Sequence, residues 1–416
     1  MAGIIFFICL VLFIIDIIPP ATVTLAGCVA YVVFDICSLQ EAFSGFANDI
    51  TLIVFGTEIF GIAFHESGLS RLTAKKIIAL SKGKEKRIII FAGLIAAALS
   101  AFLNNQVVCS LMLVICVSIS QEIKEIKVKN ITLPVIYLAI LGGQCTLVGA
   151  PATLIASSIS EKITGKGIAM FELLPIGLII LAVSLPFILF FSYRTGNKIW
   201  GSETSDTSSV STESLYVECD KRKCIVTASA GIVMLVLFIT GVVSVGIASV
   251  IGAIICIVGG AVKQREAFSK VDWNILIWLA CSIGMANALN SSGCIQELCE
   301  RILSIFPNDI SPMLLLSAVI VITVAVSNVI SNTTTVILIL PFAIQFAQQF
   351  GFNERPFIIA VALASGLAIL TPISCGFIGM TMRLGYRFKD YVKYGLGIQI
   401  IFVIMMIVLI RVFYAF

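Results

Sequence analysis

The sequence predicts an all-α polytopic membrane protein built as an inverted repeat, with five membrane crossings and one re-entrant hairpin in each half. Hydrophobic residues make up 59% of the 416 residues and charged residues only 12%. This composition excludes an ordinary soluble domain of this length. The apolar residues are also collected in runs close to the roughly 20 residues that an α-helix needs to cross a bilayer.

Ten apolar runs are predicted to cross the membrane. They lie at 3–18, 20–37, 50–66, 133–157 and 171–192 in the first half, and at 225–241, 246–262, 273–290, 357–380 and 391–412 in the second. Two longer runs, 88–120 and 312–347, carry polar clusters near their middles, and each is interpreted as a hairpin that enters and returns on one side. Five crossings per half make the two halves opposite in orientation. The first repeat is then 1–192 and the second 224–416, with a polar cytoplasmic linker, rich in Ser and Thr, over 193–223.

The distribution of basic residues supports this topology. When the basic stretch 71–87 is placed inside, the inside segments hold 22 of the 27 Lys and Arg residues. This is the asymmetry that the positive-inside rule expects. If either hairpin were a full crossing, every later loop would change sides and the bias would weaken. Both termini are therefore predicted to lie outside, and the protein is predicted to reside in the cytoplasmic membrane.

Two polar, helix-breaking clusters recur at the same spacing, one in each predicted hairpin. They are SAFLNNQVV at 100–108 and SNVISNTTTV at 327–336, so that Ser100 and Ser327, and likewise Asn105 and Asn332, are 227 residues apart. Either cluster alone is as compatible with helix packing as with binding, because Ser and Thr often bond to their own helix. Two clusters in register favour a shared, protein-lined cavity at membrane depth.

The broken helices indicate what such a cavity binds. A helix interrupted in the membrane exposes N–H groups at one end, which attract anions, and carbonyl groups at the other, which attract cations. Each half is predicted to supply a hairpin turn, at 104–106 or 331–333, and a broken crossing, at 149–152 or 372–376. Their amide and hydroxyl groups can bind a carboxylate or a sodium ion. The GGQC segment at 142–145 stays open between helix packing and binding.

Titratable side chains give a second possibility, which is proton coupling. Neither hairpin contains a carboxylate, which argues against a cation/proton antiporter. Among the acids in predicted crossings, Glu58 is the best candidate for a proton carrier because it lies in mid-helix, whereas Asp16 and Asp35 lie near predicted helix ends. The single histidine, His65, is interpreted as an interfacial anchor.

Several strings resemble the hallmarks of the divalent anion/sodium symporter family, within the ion transporter superfamily. They are LSAFLNNQVV, LGGQCTLVGAPATLI, SNVISNTTTVILILPF, ILTPI and GYRFKDYVKYGL. The resemblance implies an inverted repeat with two re-entrant hairpins and a homodimer in which a transport domain moves against a fixed scaffold. It also implies sodium-coupled carriage of dicarboxylates, citrate or sulfate.

The resemblance also implies roles for individual residues. The candidate substrate-binding residues are Asn104, Asn105, Gln106, Ser331, Asn332, Thr333, Thr371 and Pro372. The candidate sodium ligands are Ser100, Asn105 and Gly149 for one ion, and Ser327, Asn332 and Ser374 for the other. The chain departs from the family pattern at Gln106, which replaces a threonine, and at Ala150, Thr153 and Ile378, which replace polar residues of the two breaks.

The predicted function is secondary active transport of a small anion, a dicarboxylate or a sulfate-like oxyanion, coupled to sodium and using elevator-type alternating access. The alternatives are a cation/proton antiporter or an oxyanion exporter of the same superfamily. An enzyme is not predicted, because the sequence has no nucleophile–base grouping, phosphate loop or metal-site spacing. The predicted partners are the anionic substrate, the lipid bilayer and a second copy of the chain, with sodium as coupling ion, no other cofactor and no nucleic acid.

Overall fold

The structure is a computed structural model that describes residues 2–15, 18–123, 125–200, 220–291, 311–371 and 376–415, and within these residues it contains helices and no strand. The α-helices are α1 Ala2–Ile15, α2 Pro20–Val33, α3 Leu39–Ala42, α4 Asp49–Glu66, α5 Leu69–Ser81, α6 Glu85–Ser100, α7 Asn105–Glu122, α8 Val128–Gly143, α9 Pro151–Thr164, α10 Leu174–Phe187, α11 Tyr193–Trp200, α12 Lys221–Thr240, α13 Val245–Val258, α14 Gln264–Lys270, α15 Trp273–Ser291, α16 Pro312–Ser327, α17 Asn332–Gln349, α18 Arg355–Gly366, α19 Gly376–Gly379 and α20 Phe388–Phe413.

Several of these helices have the composition of membrane helices, and the predicted all-α class is confirmed. Among the described residues, four helical segments are long and apolar enough to cross a bilayer, namely Asn105–Glu122, Leu174–Trp200, Lys221–Thr240 and Phe388–Phe413. Shorter apolar helices accompany them, including α8, α13 and α16. Length alone does not separate a crossing from the arm of a hairpin, since α7, the second arm of the first predicted hairpin, is itself long and apolar enough to cross. The number of ten crossings therefore stays a prediction.

Helix–turn–helix pairs occupy both predicted hairpins. A four-residue turn at 101–104 joins α6 to α7, a second turn at 328–331 joins α16 to α17, and the two arms of each pair pack against each other. Asn104 and Ser331 cap the second arms: Asn104 Oδ1 accepts the N–H of Gln106 at 3.0 Å and Ser331 Oγ accepts the N–H of Thr334 at 3.3 Å. These polar caps explain why the apolar runs reverse direction at these positions.

Loop contacts group the chain into two ends. At the basic end the contacts are Glu85 with Tyr193 (2.6 Å), Lys127 with Trp200 (3.4 Å), Lys129 with Gly385 (2.8 Å) and Ser67 with Asp220 (3.3 Å). At the other end they are Asn48 with Ser158 (3.4 Å), Asp49 with Gly246 (3.0 Å), Glu172 with Arg355 (2.7 Å) and Asn353 with Ala415 (3.1 Å). Residues before and after the first hairpin thus reach the same helix, α11. Which end faces the cytoplasm stays a prediction.

The predicted crossings 133–157 and 357–380 are broken helices. The first stops at Gly143 and resumes at Pro151, and Ala150 before the proline has the extended backbone that a following proline favours (φ −130°, ψ 132°). The second stops at Gly366 and resumes with the short helix α19. Each hairpin packs on the broken helix of its own half, and its second arm also packs on the other half: α7 contacts α19 and α17 contacts α9. The two halves therefore interlock around the breaks.

The polar linker begins later than predicted. The helix that contains α10 continues through a π-helical turn, Ile188–Ser192, into α11, which ends at Trp200. Trp200 is buried and packs edge-on against Tyr386, with ring centroids 5.1 Å apart. Residues 193–200 therefore form the end of this helix and not part of a solvated connector, because the buried Trp200 side chain anchors the last helical turn. The remaining linker residues, 201–219, lie outside the described residues.

An ion pair fastens the two halves at the end opposite the basic one. Arg355 Nε donates to Glu172 Oε1 at 2.7 Å, and its Nη2 atom donates to Gly167 O at 2.8 Å. Burial of Glu172 alone would raise its carboxyl pKa, but the hydrogen bonds and charge of Arg355 outweigh this effect and hold the pKa below the ordinary value of 4.5.

Glu172→Gln is expected to lower the free energy of unfolding by about 1–3 kcal/mol at neutral pH, because a charge-assisted pair is lost. Since the folded-state pKa lies below the unfolded one, the contribution is complete above pH 4.5 and disappears as the pH falls through the folded-state pKa. Thermal melts of both proteins in detergent between pH 7.5 and 3.5 test this. A stability difference that is unchanged at the acidic limit would contradict it.

Candidate binding site

The first half brings Ser100, Asn105 and Gly149 together. Ser100 Oγ donates a hydrogen bond to Asn105 Oδ1, and Asn105 N donates to Gly149 O at 3.0 Å. Ser100 and Asn105 are both buried. A Cβ atom at Gly149 would overlap the carbonyl oxygens of Ser100 and Gly143. The hairpin turn and the first break therefore form one compact group of hydroxyl, amide and carbonyl oxygens.

The second half repeats the central pair. Ser327 Oγ contacts Asn332 Oδ1 at 2.9 Å and donates to Ser365 O at 2.8 Å. Ser365 is the residue before the last one of α18, so the hairpin again touches the helix that breaks. Ser331 Oγ lies 3.4 Å from Thr333 Oγ1 and 2.7 Å from Thr334 Oγ1. In both hairpins, therefore, a Ser contacts an Asn that lies five residues later in the sequence.

Gln144 connects these two groups. A Cβ atom at Gly143 would overlap the Asn105 side chain, and a Cβ atom at Gly366 would overlap the side-chain amide of Gln144. Gln144 is 1% exposed, and neither its Nε2 nor its Oε1 atom has a hydrogen-bond partner among the described residues. A continuous series of contacts therefore runs from Asn105 of the first hairpin, through the neighbours Gly143 and Gln144, to Gly366 of the second half. Gly366 follows Ser365, whose carbonyl oxygen accepts the hydrogen bond from Ser327 of the second hairpin. The two breaks meet in the interior.

The other predicted residues are placed as follows. Thr371 Oγ1 donates at 2.5 Å to the backbone oxygen of Asn328, the first residue of the second hairpin turn, and Leu370 N donates to Asn328 Oδ1 at 2.9 Å. Pro372 and Ser374 lie outside the described residues. Thr153, which replaces a polar family residue, donates to Leu147 O and Ala150 O of its own break at 3.0 and 2.7 Å. Thr153 therefore serves to hold the break.

A cavity of about 680 Å³ leads from the basic end to the first hairpin turn. Its walls include Gln106 and Ser110 of α7, Glu58 of α4, and Lys270. Glu58 is 6% exposed, and its Oε2 atom accepts the N–H of Asp272 at 2.9 Å. Glu66 forms an ion pair with Lys270 on the same wall. Gln106 thus faces an accessible volume, whereas Asn105 is directed into the protein.

Sequence reasoning did not single out several residues that complete the site. Asn328 holds the second break through two hydrogen bonds, and Gln399 Oε1 accepts the N–H of Ile369 at 3.0 Å. Tyr137 of the first half donates to Ile369 O of the second at 3.0 Å. Asn328 lies inside the SNVISN string, so its position in a recognised motif could have identified it as a site residue. Tyr137 and Gln399 lie in apolar runs a few residues outside the motif strings, so only the packing reveals them.

The described part of the site contains no grouping typical of metalloenzymes. Across the residues that the structure describes, no three His, Cys, Asp or Glu side chains come close enough to hold a metal ion. The converging groups are uncharged amides, hydroxyls and backbone carbonyls at helix ends. Such a site has donors for an anion and hard oxygen ligands for an alkali cation.

A multi-pass helical membrane protein with two polar hairpins interlocked around two broken helices belongs to the class of transporters. The particular family follows from sequence comparison. This chain belongs to the citrate transporter family, because the family model CitMHS, described as citrate transporter, matches residues 10–362. The membership confirms the family relationship that the hairpin motifs indicated.

Individual relatives agree with this assignment. The chain is 28% identical over 180 residues to the uncharacterized transporter sll0640 of Synechocystis, a match that covers 43% of this chain and 29% of that protein. It is 21% identical over 388 residues to the sodium-dependent dicarboxylate transporter SdcS of Staphylococcus saprophyticus, covering 86% of this chain and 74% of SdcS. Among solved structures, the YdaH transporter of Alcanivorax borkumensis shares the fold, with a TM-score of 0.64, 13% identity, and coverage of 92% of this chain and 88% of that one.

Proposed function

We propose that this chain is a secondary active transporter that moves a small di- or tricarboxylate together with sodium. The observation that carries the proposal is the duplicated Ser–Asn pair: Ser100 with Asn105 and Ser327 with Asn332 occupy equivalent hairpin positions next to helix breaks. The family description and the name of SdcS support a carboxylate substrate. A sulfate-like oxyanion is the competing substrate class.

The anion-binding part of the proposal rests on the helix starts. α7 and α17 begin at the two hairpin turns, and their first N–H groups carry partial positive charge. Asn104 Nδ2 is buried and has no partner among the described residues, so it has a donor available at the first turn. Thr333 adds a hydroxyl at the second turn. A dianion is stabilised there by several oriented dipoles without a buried basic side chain.

The sodium part rests on the oxygen clusters. Ser100 Oγ, Asn105 Oδ1 and Gly149 O lie together in one half, and Ser327 Oγ, Asn332 Oδ1 and Ser365 O in the other. Hydroxyl, amide and carbonyl oxygens are ligands suited to sodium. A cation at either cluster lowers the cost of bringing a multiply charged anion into a medium of low dielectric constant. Sodium is therefore expected to bind first and to increase anion affinity.

Alternating access is proposed to follow the division between two groups of helices. The hairpins and broken helices interlock with one another, whereas α4 packs on α13 and α2 packs on α15 outside this group. The first group is suited to move as a transport domain and the second to stay as scaffold. The homodimer that the family resemblance implies remains a prediction.

Uptake into proteoliposomes tests the proposed function. Labelled citrate, succinate and sulfate are supplied separately, with an inward sodium gradient or with potassium replacing sodium. The expected result is saturable, sodium-dependent uptake of a carboxylate that exceeds uptake of sulfate. Sodium-independent uptake would remove the coupling ion from the proposal, and uptake of sulfate alone would remove the substrate class.

One observation favours proton coupling as a second candidate. The sequence offered no carboxylate in either hairpin, but the structure brings the buried carboxylate of Glu58 to the cavity that reaches Gln106. A carboxylate at that position can take up and release a proton as the cavity changes its access. In the same liposomes, an inward proton gradient without sodium discriminates sodium coupling from proton coupling. Proton-driven uptake that is lost in Glu58→Gln would support proton coupling. Unchanged sodium-driven uptake in Glu58→Gln would exclude it.

A further inference from the structure

A second cavity, of about 330 Å³, is almost entirely apolar and lies between α4, the first hairpin and α12. Its walls include Phe60 of α4, Phe102 of the hairpin turn and Gly231 of α12. We call this cavity the α4–α12 groove. Apolar volume of this kind in a membrane protein favours a hydrocarbon occupant.

The groove is open to the outer surface of the helical bundle. Ala98 of α6 and Ala228 of α12 line it and are both exposed, and a third lining residue, Ile232, is 64% exposed. Ile225 and Ile239 continue the exposed apolar surface of α12 at 69% and 65% exposure. An exposed apolar surface on a helix long enough to cross the membrane is suited to contact with acyl chains, and the groove opens onto this surface.

A basic cluster lies at one end of the groove. Lys221, Arg222 and Lys223 form the first turn of α12, and Thr227, one turn later, already lines the groove. The N–H of Asp220 donates to Ser67 O at 3.3 Å, which holds this turn beside Leu69, another lining residue.

The charges of this cluster are directed outward. The Asp220 carboxylate caps the helix by accepting the N–H groups of Arg222 and Lys223 at 2.9 and 3.4 Å, so the helix end itself is occupied. Lys221 and Arg222 are exposed, and three basic residues against one acid leave the turn net positive. An anion at this place would therefore bind the basic side chains.

We propose that the α4–α12 groove is a binding site for one anionic glycerophospholipid, with an acyl chain along α12 and the phosphate on the Lys221–Lys223 turn. The apolar cavity and the adjacent basic turn match the two parts of such a lipid. The acyl chain would contact Phe102 and Leu103, directly before the Asn104 cap. Because Leu103 and Phe64 also line the larger cavity, the lipid would form the apolar wall between that cavity and the membrane.

Native mass spectrometry tests the site. The full chain is delipidated and titrated with phosphatidylglycerol or with phosphatidylcholine that has the same acyl chains. The wild-type protein is expected to bind phosphatidylglycerol at least about tenfold more tightly than phosphatidylcholine, since only phosphatidylglycerol carries the net negative charge that the basic turn attracts. Lys221→Gln/Arg222→Gln is expected to remove this preference. Ala228→Phe, which fills the groove, is expected to weaken binding of both lipids.

Matched variants separate a site from general surface binding. Lys263→Gln/Arg265→Gln removes two exposed charges elsewhere at the basic end, and Val258→Phe adds an aromatic ring to a lipid-facing position that is 81% exposed. Both are expected to bind as the wild-type protein does. Size-exclusion profiles and melting temperatures show that each variant is folded. Equal affinity for the two lipids, or equal losses in the groove variants and their controls, would mean an unspecific lipid annulus and would overturn the proposal.

Discussion

Asn332→Ala is expected to reduce substrate uptake to background while the protein remains folded. The substitution removes the amide oxygen that Ser327 Oγ contacts at 2.9 Å, but Ser327 keeps its bond to Ser365 O. Asn105→Ala is expected to behave alike, because it removes the side chain that bonds Ser100 and preserves the backbone bond to Gly149. Loss of an interaction with a charged ligand costs about 1.5–3 kcal/mol, which is about ten- to a hundredfold in affinity.

The measurement is the initial rate of sodium-driven uptake in proteoliposomes that contain equal amounts of each protein. Asn274→Ala, at an exposed position near the start of α15, is the matched control and is expected to transport normally. Normal uptake by either Asn105→Ala or Asn332→Ala would exclude that hairpin from the site. A loss of uptake that is accompanied by a lowered melting temperature would indicate a structural role instead.

Gly366→Ala is expected to impair both stability and transport, because a methyl group there would overlap the buried amide of Gln144. Gln144 and Gly366 are both buried between the two broken helices, so the Gln144 side chain cannot relieve the overlap by moving into solvent. Overpacking of this kind costs about 1–3 kcal/mol. Thermal melts and uptake rates measure the two effects.

A second substitution tests whether this contact is the cause. Gln144→Ala removes the amide and, when combined with Gly366→Ala, is expected to restore most of the lost melting temperature, which makes the pair strongly non-additive. Gln144→Ala alone is expected to leave the fold intact, since neither amide atom has a hydrogen-bond partner among the described residues. Additive losses in the double variant would show that Gly366 is needed for another reason.

The elements near the site were predictable because they are encoded locally. Each polar cluster interrupts its apolar run at the turn itself, and the five-residue spacing of Ser100 to Asn105 and Ser327 to Asn332 places each pair across one turn. Asn104 and Ser331 are residues that favour helix N-caps, and they are found there. The glycines and prolines of the two breaks likewise carry their own signals, at Gly143 and Pro151 for the first.

What joins these elements was not predictable, because it depends on residues far apart in sequence. Gln144 meets Gly366 only because the halves interlock, and Tyr137 reaches Ile369 for the same reason. The composition of 193–200 also led to a wrong prediction, because its polar residues suggested a linker. The structure shows a helix there that ends at the buried side chain of Trp200. Glu58 was recognised as a mid-helix acid, but its cavity with Gln106 is formed by tertiary packing.

Equilibrium binding of the transported carboxylate to the purified protein tests most directly whether both hairpins form one site. The radiolabelled anion is titrated in saturating sodium onto the wild-type protein, Asn105→Ala, Asn332→Ala and the double variant, and the amount bound per chain is counted. A single shared site predicts one anion per chain in the wild-type protein and loss of binding at the same concentrations in each single variant. Two anions per chain, with one remaining in each single variant, would contradict it and would mean that the halves bind independently.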